Sequence, residues 1–166
     1  MKSLDFFRAL NERAIDFVVV GGVAMQMQGY MRMTYDIDLV LAMNDDNLSK
    51  FIEVAKHFNL MPNIPVAIEQ LKNAEQVQDW YENKGMLAFS LREQTVNGGI
   101  VDVLVRPEVQ FDELSKHATD GQLFGHIVKI ASIEHLLQMK RAANRPKDQF
   151  DVIALEKIQR GENPNA

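Results

Sequence analysis

The sequence predicts an α+β domain: a mixed, mainly antiparallel sheet flanked by helices, with a C-terminal helical pair closing over one side. Three observations predict it. Short apolar runs ("FVVV", "DIDLVLA", "GIVDVLV", "HIVKIA") alternate with longer segments of helical periodicity. Glycine, proline and asparagine separate these segments, and "QTVNGG" between two strand-like runs reads as a hairpin turn. The 166 residues, 46% apolar, suit one domain with a sizeable core.

In chain order, residues 3–14 carry apolar positions at helical spacing and read as an amphipathic first helix. "FVVV", 17–20, is a buried strand, and "VAMQMQGY" after Gly21-Gly22 is a short helix. "DIDLVLA" is the second strand. "NDDNLSKFIEVAKHF", 44–58, opens on capping residues and continues as a helix. Pro62 and Pro65 break the chain, and residues 66–83 read as one helix ending before Gly85. "MLAFSLRE" and "GIVDVLV" are strands, and "HIVKIA" is the last. "SIEHLLQMKRAAN" follows a serine cap. Pro146 suits only a first turn, so the next helix starts there and stops at Gly161. The core is expected over 1–130, the helical pair over 131–160 and a loose tail over 161–166.

Composition narrows the function. The chain has no cysteine, which removes disulfides, thiol nucleophiles and cysteine-based zinc sites. The four histidines form no i, i+4 pair, which argues against a histidine zinc site. "MKSLDFFRALNERAIDF" is broken by charges and reads as neither signal peptide nor membrane span, so a soluble cytoplasmic protein with no membrane partner is expected. A net charge of −5 disfavours a binder of nucleic acid by charge alone. From Lys129 to Arg160, however, seven Lys or Arg face four acids. Such a basic half opposite an acidic one suits metal ions and a polyphosphate, or is simply a solvated helical pair.

The second strand carries the chemical signal. Residues two apart on a strand share a face, so Asp36 and Asp38 stand together while Ile37, Leu39 and Leu41 face the core. Twelve aspartates in 166 positions give about one Asp-x-Asp pair by chance, so context decides. Two close carboxylates repel, and a divalent cation, Mg²⁺ or Mn²⁺, relieves that repulsion. Asp102 lies mid-strand among Ile, Val and Leu, where an unpartnered acid is costly. Its partner is either an arginine such as Arg92 or Arg106, or the same cation, should its strand lie beside "DIDLVLA".

Gly21-Gly22 ends a strand and enters a helix, a turn that permits a phosphate to approach the main chain, or merely a tight bend. It lacks the Gly-x-Gly-x-x-Gly spacing of a dinucleotide site, and no Walker Gly-Lys-Ser/Thr is present. Lys140 falls on the stripe of Ile133, Leu136 and Leu137, the buried side of its helix. It either snorkels past the core or aims its ammonium at phosphate. Trp80 reads as a helix anchor in preference to a base-stacking platform, and the nine methionines as core filler.

"GGVA", "RMTYDID", "IVDVLV" and "KRAANRPKDQFDVIAL", taken in order, resemble the nucleotidyltransferase superfamily of DNA polymerase beta type. The closer likeness is to small prokaryotic nucleotidyltransferase-like proteins of the abortive-infection toxin type, over most of residues 15–158. The resemblance implies the nucleotidyltransferase fold and pyrophosphate-releasing transfer of a nucleoside monophosphate from a nucleoside triphosphate such as ATP to an acceptor hydroxyl. It implies Asp36, Asp38 and Asp102 as the metal-binding and catalytic carboxylates. It also implies Gly21, Gly22, Arg32, Thr34, Lys140, Lys147 and Asp148 as nucleotide-binding residues. Asp148 reads equally as a first-turn helix charge. Polymerase-like members carry serine at the second glycine position, and this chain has Gly22. By resemblance the acceptor is a tRNA, a protein or a small molecule, with a toxin–antitoxin role and a cognate antitoxin as a further expectation. The alternative is a catalytically silent nucleotide-binding or partner-binding module on the same fold.

Overall fold

A computed structural model describes residues 1–123 and 125–166 of the chain. Seven strands form one sheet among the described residues: β1 (Phe17–Val20), β2 (Asp36–Leu41), β3 (Leu60–Pro62), β4 (Ala88–Glu93), β5 (Ile100–Leu104), β6 (Thr119–Leu123) and β7 (His126–Ile130). Their order is β3-β4-β5-β2-β1-β7-β6. Four pairings are antiparallel and two, β1–β7 and β2–β5, are parallel. The helices are α1 (Ser3–Glu12), α2 (Gly21–Met27), α3 (Asp45–His57), α4 (Ala74–Lys84), α5 (Phe111–His117), α6 (Ile133–Ala143) and α7 (Asp148–Gln159). This is the α+β architecture expected, with a mixed, mainly antiparallel sheet and α6 packed on α7. No described helix is long and apolar enough to cross a membrane.

β1 lies inside the sheet, between β2 and β7, and all four of its residues are buried. The parallel β2–β5 pairing needs a long crossover, supplied by α3, β3, α4 and β4. On one side Phe6 and Phe7 of α1 reach Phe58 and Phe17, with ring centroids 5.7 and 6.3 Å apart respectively. Trp80 of α4 is 2% exposed and stacks on Phe89 of β4 at 5.1 Å, the anchoring role its helix suggested. Buried Asn47 ties the ends of β1 and β2 together: its amide oxygen accepts from the Asp16 N–H and its nitrogen donates to the Asp16 and Ala42 carbonyls.

Three elements were not visible in the sequence. β3 and β6 are short edge strands; "TDGQL" has no apolar alternation and is held by its antiparallel pairing with β7. α5 spans only seven residues and buries Leu114 alone. The single helix expected over 66–83 is divided. A 3₁₀ turn, Ile68–Lys72, ends at Asn73, whose side chain accepts from the Gln76 N–H and so starts α4 anew. α7 begins at Asp148 rather than Pro146, because Asn144 at φ +47° ends α6 and Arg145–Lys147 form the turn. The last residues fold back on the α2–β2 loop: Asn165 accepts from the Met31 N–H at 2.7 Å and donates to the Gly29 carbonyl at 3.0 Å.

Candidate active site

Strand register places the acids. Val20, Asp38, Asp102 and Ser90 occupy one row across β1, β2, β5 and β4. Asp36, two residues before Asp38, projects from the same face. One carboxylate oxygen from each of Asp36, Asp38 and Asp102 lies within 4.8 Å of the others. The side-by-side arrangement of β2 and β5 on which this convergence depended is therefore present. Asp102 does not meet an arginine: Ser90 donates its hydroxyl to Asp102 Oδ1 at 2.5 Å, while Arg106 faces Glu82 at 3.7 Å.

The glycine turn lies directly over this row. Gly21 has φ +65°, and a β-carbon there would stand 2.1 Å from Asp38 Oδ2, so both conformation and space demand glycine. At Gly22 a β-carbon would stand 2.4 Å from Thr34 Oγ1. The α2–β2 loop runs extended into β2 with alternating sides. Met31, Met33 and Tyr35 are exposed while Arg32, Thr34 and Asp36 are half-buried, and all of these but Met31 border the cleft.

Electrostatics mark Asp38 as the strained member. Burial, then the charges of Asp102 and Asp36, push its carboxyl up to about 6. Lys140 and the Gly22 main-chain N–H pull the other way without prevailing. At neutral pH the carboxylate still prevails, but it is held against burial and two like charges.

The positive charge nearby is itself held in place. Lys140 Nζ lies 3.2 Å from Asp148 and 2.8 Å from Asp151, both buried on α7. Arg145 Nε donates to Asp148 at 2.7 Å, and Arg32 Nη1 donates to Asp151. Burial alone would raise the Asp148 carboxyl, but hydrogen bonds from Arg145 and Lys140 outweigh it and hold it below the usual range. The hydrogen bond to Asp148 makes the Arg145 guanidinium hold its proton more tightly than usual.

These elements enclose a cleft of about 550 Å³. Of the residues singled out from the sequence, Gly21, Gly22, Arg32, Thr34, Asp36, Asp38, Asp102, Lys140 and Lys147 all line it. Asp148 instead sits beneath Lys140 and Arg145, 1% exposed, and reaches the cleft through those two cations. Three participants went unread. Arg145 lines the cleft from the α6–α7 turn, Asp151 holds Arg32 and Lys140, and Ser90 holds Asp102. Asp151 could have been found, since it lies three residues after Asp148 on one helical face. Ser90 could not, because only strand pairing reveals it.

The chain is similar to lincosamide antibiotic adenylyltransferase LnuA, solved with lincomycin bound: TM-score 0.63, 13% identity, over 94% of this chain and 95% of that one. It is similar to the antibiotic-resistance factor ANT(2'')-Ia: TM-score 0.61, 13% identity, over 95% and 81% of the two chains. It is also similar to an antigenic nucleotidyltransferase-like protein from Paracoccidioides brasiliensis: TM-score 0.52, 20% identity, over 94% and 75%. No family model matches the chain, and no curated protein matches it by sequence. The chain has the nucleotidyltransferase fold.

Proposed function

We infer that the protein is a metal-dependent nucleotidyltransferase. The observation that carries this is the meeting of three carboxylates from β2 and β5 under the Gly21–Gly22 turn, facing cations from α6 and the α6–α7 turn. The residues fit a divalent cation: three oxygen donors stand within 4.8 Å of one another, and burial with the charges of Asp102 and Asp36 holds the Asp38 carboxyl up at about 6, a burden a cation would relieve. Asp36, Asp38 and Asp102 would hold Mg²⁺ or Mn²⁺, which when bound supplies electrophilic stabilisation of the phosphoryl oxygens. Asp102, fixed by Ser90, takes the proton of the acceptor hydroxyl. That oxygen forms the new bond to the α-phosphorus, the bond from the α-phosphorus to the bridging oxygen breaks, and pyrophosphate leaves. Lys140, Arg145 and Lys147, with the main chain of Gly21 and Gly22, hold the triphosphate. Asp148 acts beneath them by keeping Lys140 and Arg145 in place.

The two ends of the cleft differ in a way that favours a small-molecule acceptor. Beyond Asp102, towards β4 and α4, the lining is Tyr81, Leu87, Leu104, Arg106, Pro107 and Glu108. The one cation of this end already faces Glu82 and lies over the Tyr81 ring at 5.8 Å. A polynucleotide acceptor would need phosphate-binding cations there, whereas an apolar and aromatic wall suits a compact hydroxylated molecule. LnuA with its lincomycin is a neighbour of the same fold that supports this reading. A place in a toxin–antitoxin pair rests on the motif resemblance alone, and growth arrest on induction, relieved by a neighbouring gene, tests it.

The direct test is incubation with Mg²⁺ and each labelled triphosphate, against lincosamide, aminoglycoside and tRNA acceptors. Label transfer and pyrophosphate release that vanish in Asp36→Ala support the reading. Transfer that survives the substitution refutes it. Triphosphate bound with no turnover on any acceptor makes the chain a silent nucleotide-binding module.

A further inference from the structure

The space beside Gly22 is filled from elsewhere in the chain. A β-carbon at Gly22 would stand 2.4 Å from Thr34 Oγ1, 2.7 Å from Thr34 Cβ and 3.3 Å from Thr34 Cγ2. The Thr34 side chain therefore occupies the volume that a side chain at position 22 would take. Gly22 is buried and cannot carry even an alanine unless Thr34 moves. Thr34 arrives there because burial alternates along the α2–β2 loop, so that Arg32, Thr34 and Asp36 are half-buried between the exposed Met31, Met33 and Tyr35. Arg32 is fixed to Asp151, and Asp36 is fixed by the register of β2 on β5. Thr34 is thus clamped between two anchored neighbours.

Its hydroxyl is nonetheless poorly used. The contact it makes within the chain is a long one, 3.4 Å to the Asp36 carbonyl oxygen. That leaves a donor in the wall of the cleft, between the glycine turn and the first carboxylate. A half-buried hydroxyl with so weak an internal partner is available to a ligand.

We propose that Thr34 provides, from the α2–β2 loop, the side-chain hydroxyl of the Gly21–Gly22 turn and donates it to a phosphate oxygen of the bound nucleoside triphosphate. The proposal rests on the reading of the cleft as a nucleotidyl-transfer site and adds one specific ligand contact to it. The contact is a hydrogen bond to an anionic oxygen, so its loss is expected to weaken triphosphate binding about tenfold or more.

The experiment uses the full chain with Mg²⁺ and a triphosphate whose α–β bridge is non-hydrolysable, so binding is read without an acceptor. Thr34→Val keeps the shape and removes the hydroxyl. Thr34→Ser keeps the hydroxyl and removes a methyl. Expected are about tenfold or weaker binding for Thr34→Val and binding within about twofold of wild type for Thr34→Ser. Thermal unfolding of both without nucleotide should match wild type. The exchange Gly22→Ser with Thr34→Gly moves the hydroxyl to the opposite side of the same gap and should recover most of the affinity. Gly22→Ser alone should lose it through the collision. Thr34→Val binding as tightly as wild type, or Thr34→Ser falling as far as Thr34→Val, overturns the role of Thr34. Wild-type protein that binds no triphosphate overturns the nucleotidyl-transfer reading itself, and the Thr34 assignment with it.

Discussion

Asp38→Asn should make the metal-free protein more stable while abolishing the proposed nucleotidyl transfer. The carboxyl is raised from 3.8 to about 6, with burial as the largest cause and the charges of Asp102 and Asp36 next. That is about 2.2 decades of proton affinity at about 1.36 kcal/mol each, or about 3 kcal/mol by which the folded state disfavours the charged form. The sign follows from linkage. Between 3.8 and about 6 the folded chain holds a proton that the unfolded chain has released. Stability from this group therefore falls as pH rises through that window and is flat above it. Asn keeps the shape and an oxygen for the Gly22 N–H but carries no charge, so its advantage is full above about pH 6 and vanishes below the unfolded value. For a chain of 166 residues, about 3 kcal/mol corresponds to a rise in Tm of about 6–12 °C. Calorimetry in chelator at pH 7.5 should show that gap, and at pH 4.5 it should shrink to about 1 kcal/mol. A variant less stable than wild type at pH 7.5, or a gap equal at both pH values, would refute the account of Asp38 as a charge held under strain.

Further outcomes follow from the same geometry. Added Mg²⁺ or Mn²⁺ should stabilise wild type, by about 2.7 kcal/mol at a hundred times Kd, and thermal shift should find the effect lost in Asp36→Ala and Asp102→Asn. Gly21→Ala should cost about 3 kcal/mol or more, since a left-handed φ and a collision with Asp38 combine. Gly85→Ala, also at positive φ but with open space around it, should cost only about 1 kcal/mol in the same denaturant titration. Lys140→Met should lose about 2 kcal/mol, less than a fully orphaned buried charge, because Asp148 keeps Arg145 and Asp151 keeps Arg32. It should also move the acid limb of the pH–rate profile upward, because Lys140 is one of the groups that lower the Asp38 carboxyl.

The legible part of this molecule is the part governed by local periodicity. Alternation along "DIDLVL" puts Asp36 and Asp38 on one face and Ile37 and Leu39 in the core, as observed. The helical stripe through Leu136, Leu137 and Lys140 gives a lysine that is 11% exposed. The illegible part depends on which element lies next to which. Ser90 reaches Asp102 only because β4 pairs with β5 in one register, and no spacing within "MLAFSLRE" announces it. Thr34 meets Gly22 across a loop of eight residues, 28–35, whose path is set by contacts with α7 and the chain end. β6 was missed for a simpler reason: an edge strand with polar alternates lacks the apolar signal that a buried strand must carry.

The two acid groups of the molecule do opposite work, and the difference is one of partners. Asp148 and Asp151 are more deeply buried than Asp36, Asp38 and Asp102, yet they are satisfied, because Lys140, Arg145 and Arg32 surround them within the chain. Asp38 has Lys140 and Arg145 only at a distance, a main-chain N–H and two like charges. Moving Lys140 fully onto Asp38 would relieve the cleft but leave Asp148 and Asp151 short of a cation under α7. The fold thus pairs the deeper acids with its own cations and leaves Asp38 without a close one. The same pinning that denies Lys140 to Asp38 holds its ammonium at the cleft wall, where, on the nucleotidyl-transfer function proposed above, it would face the triphosphate.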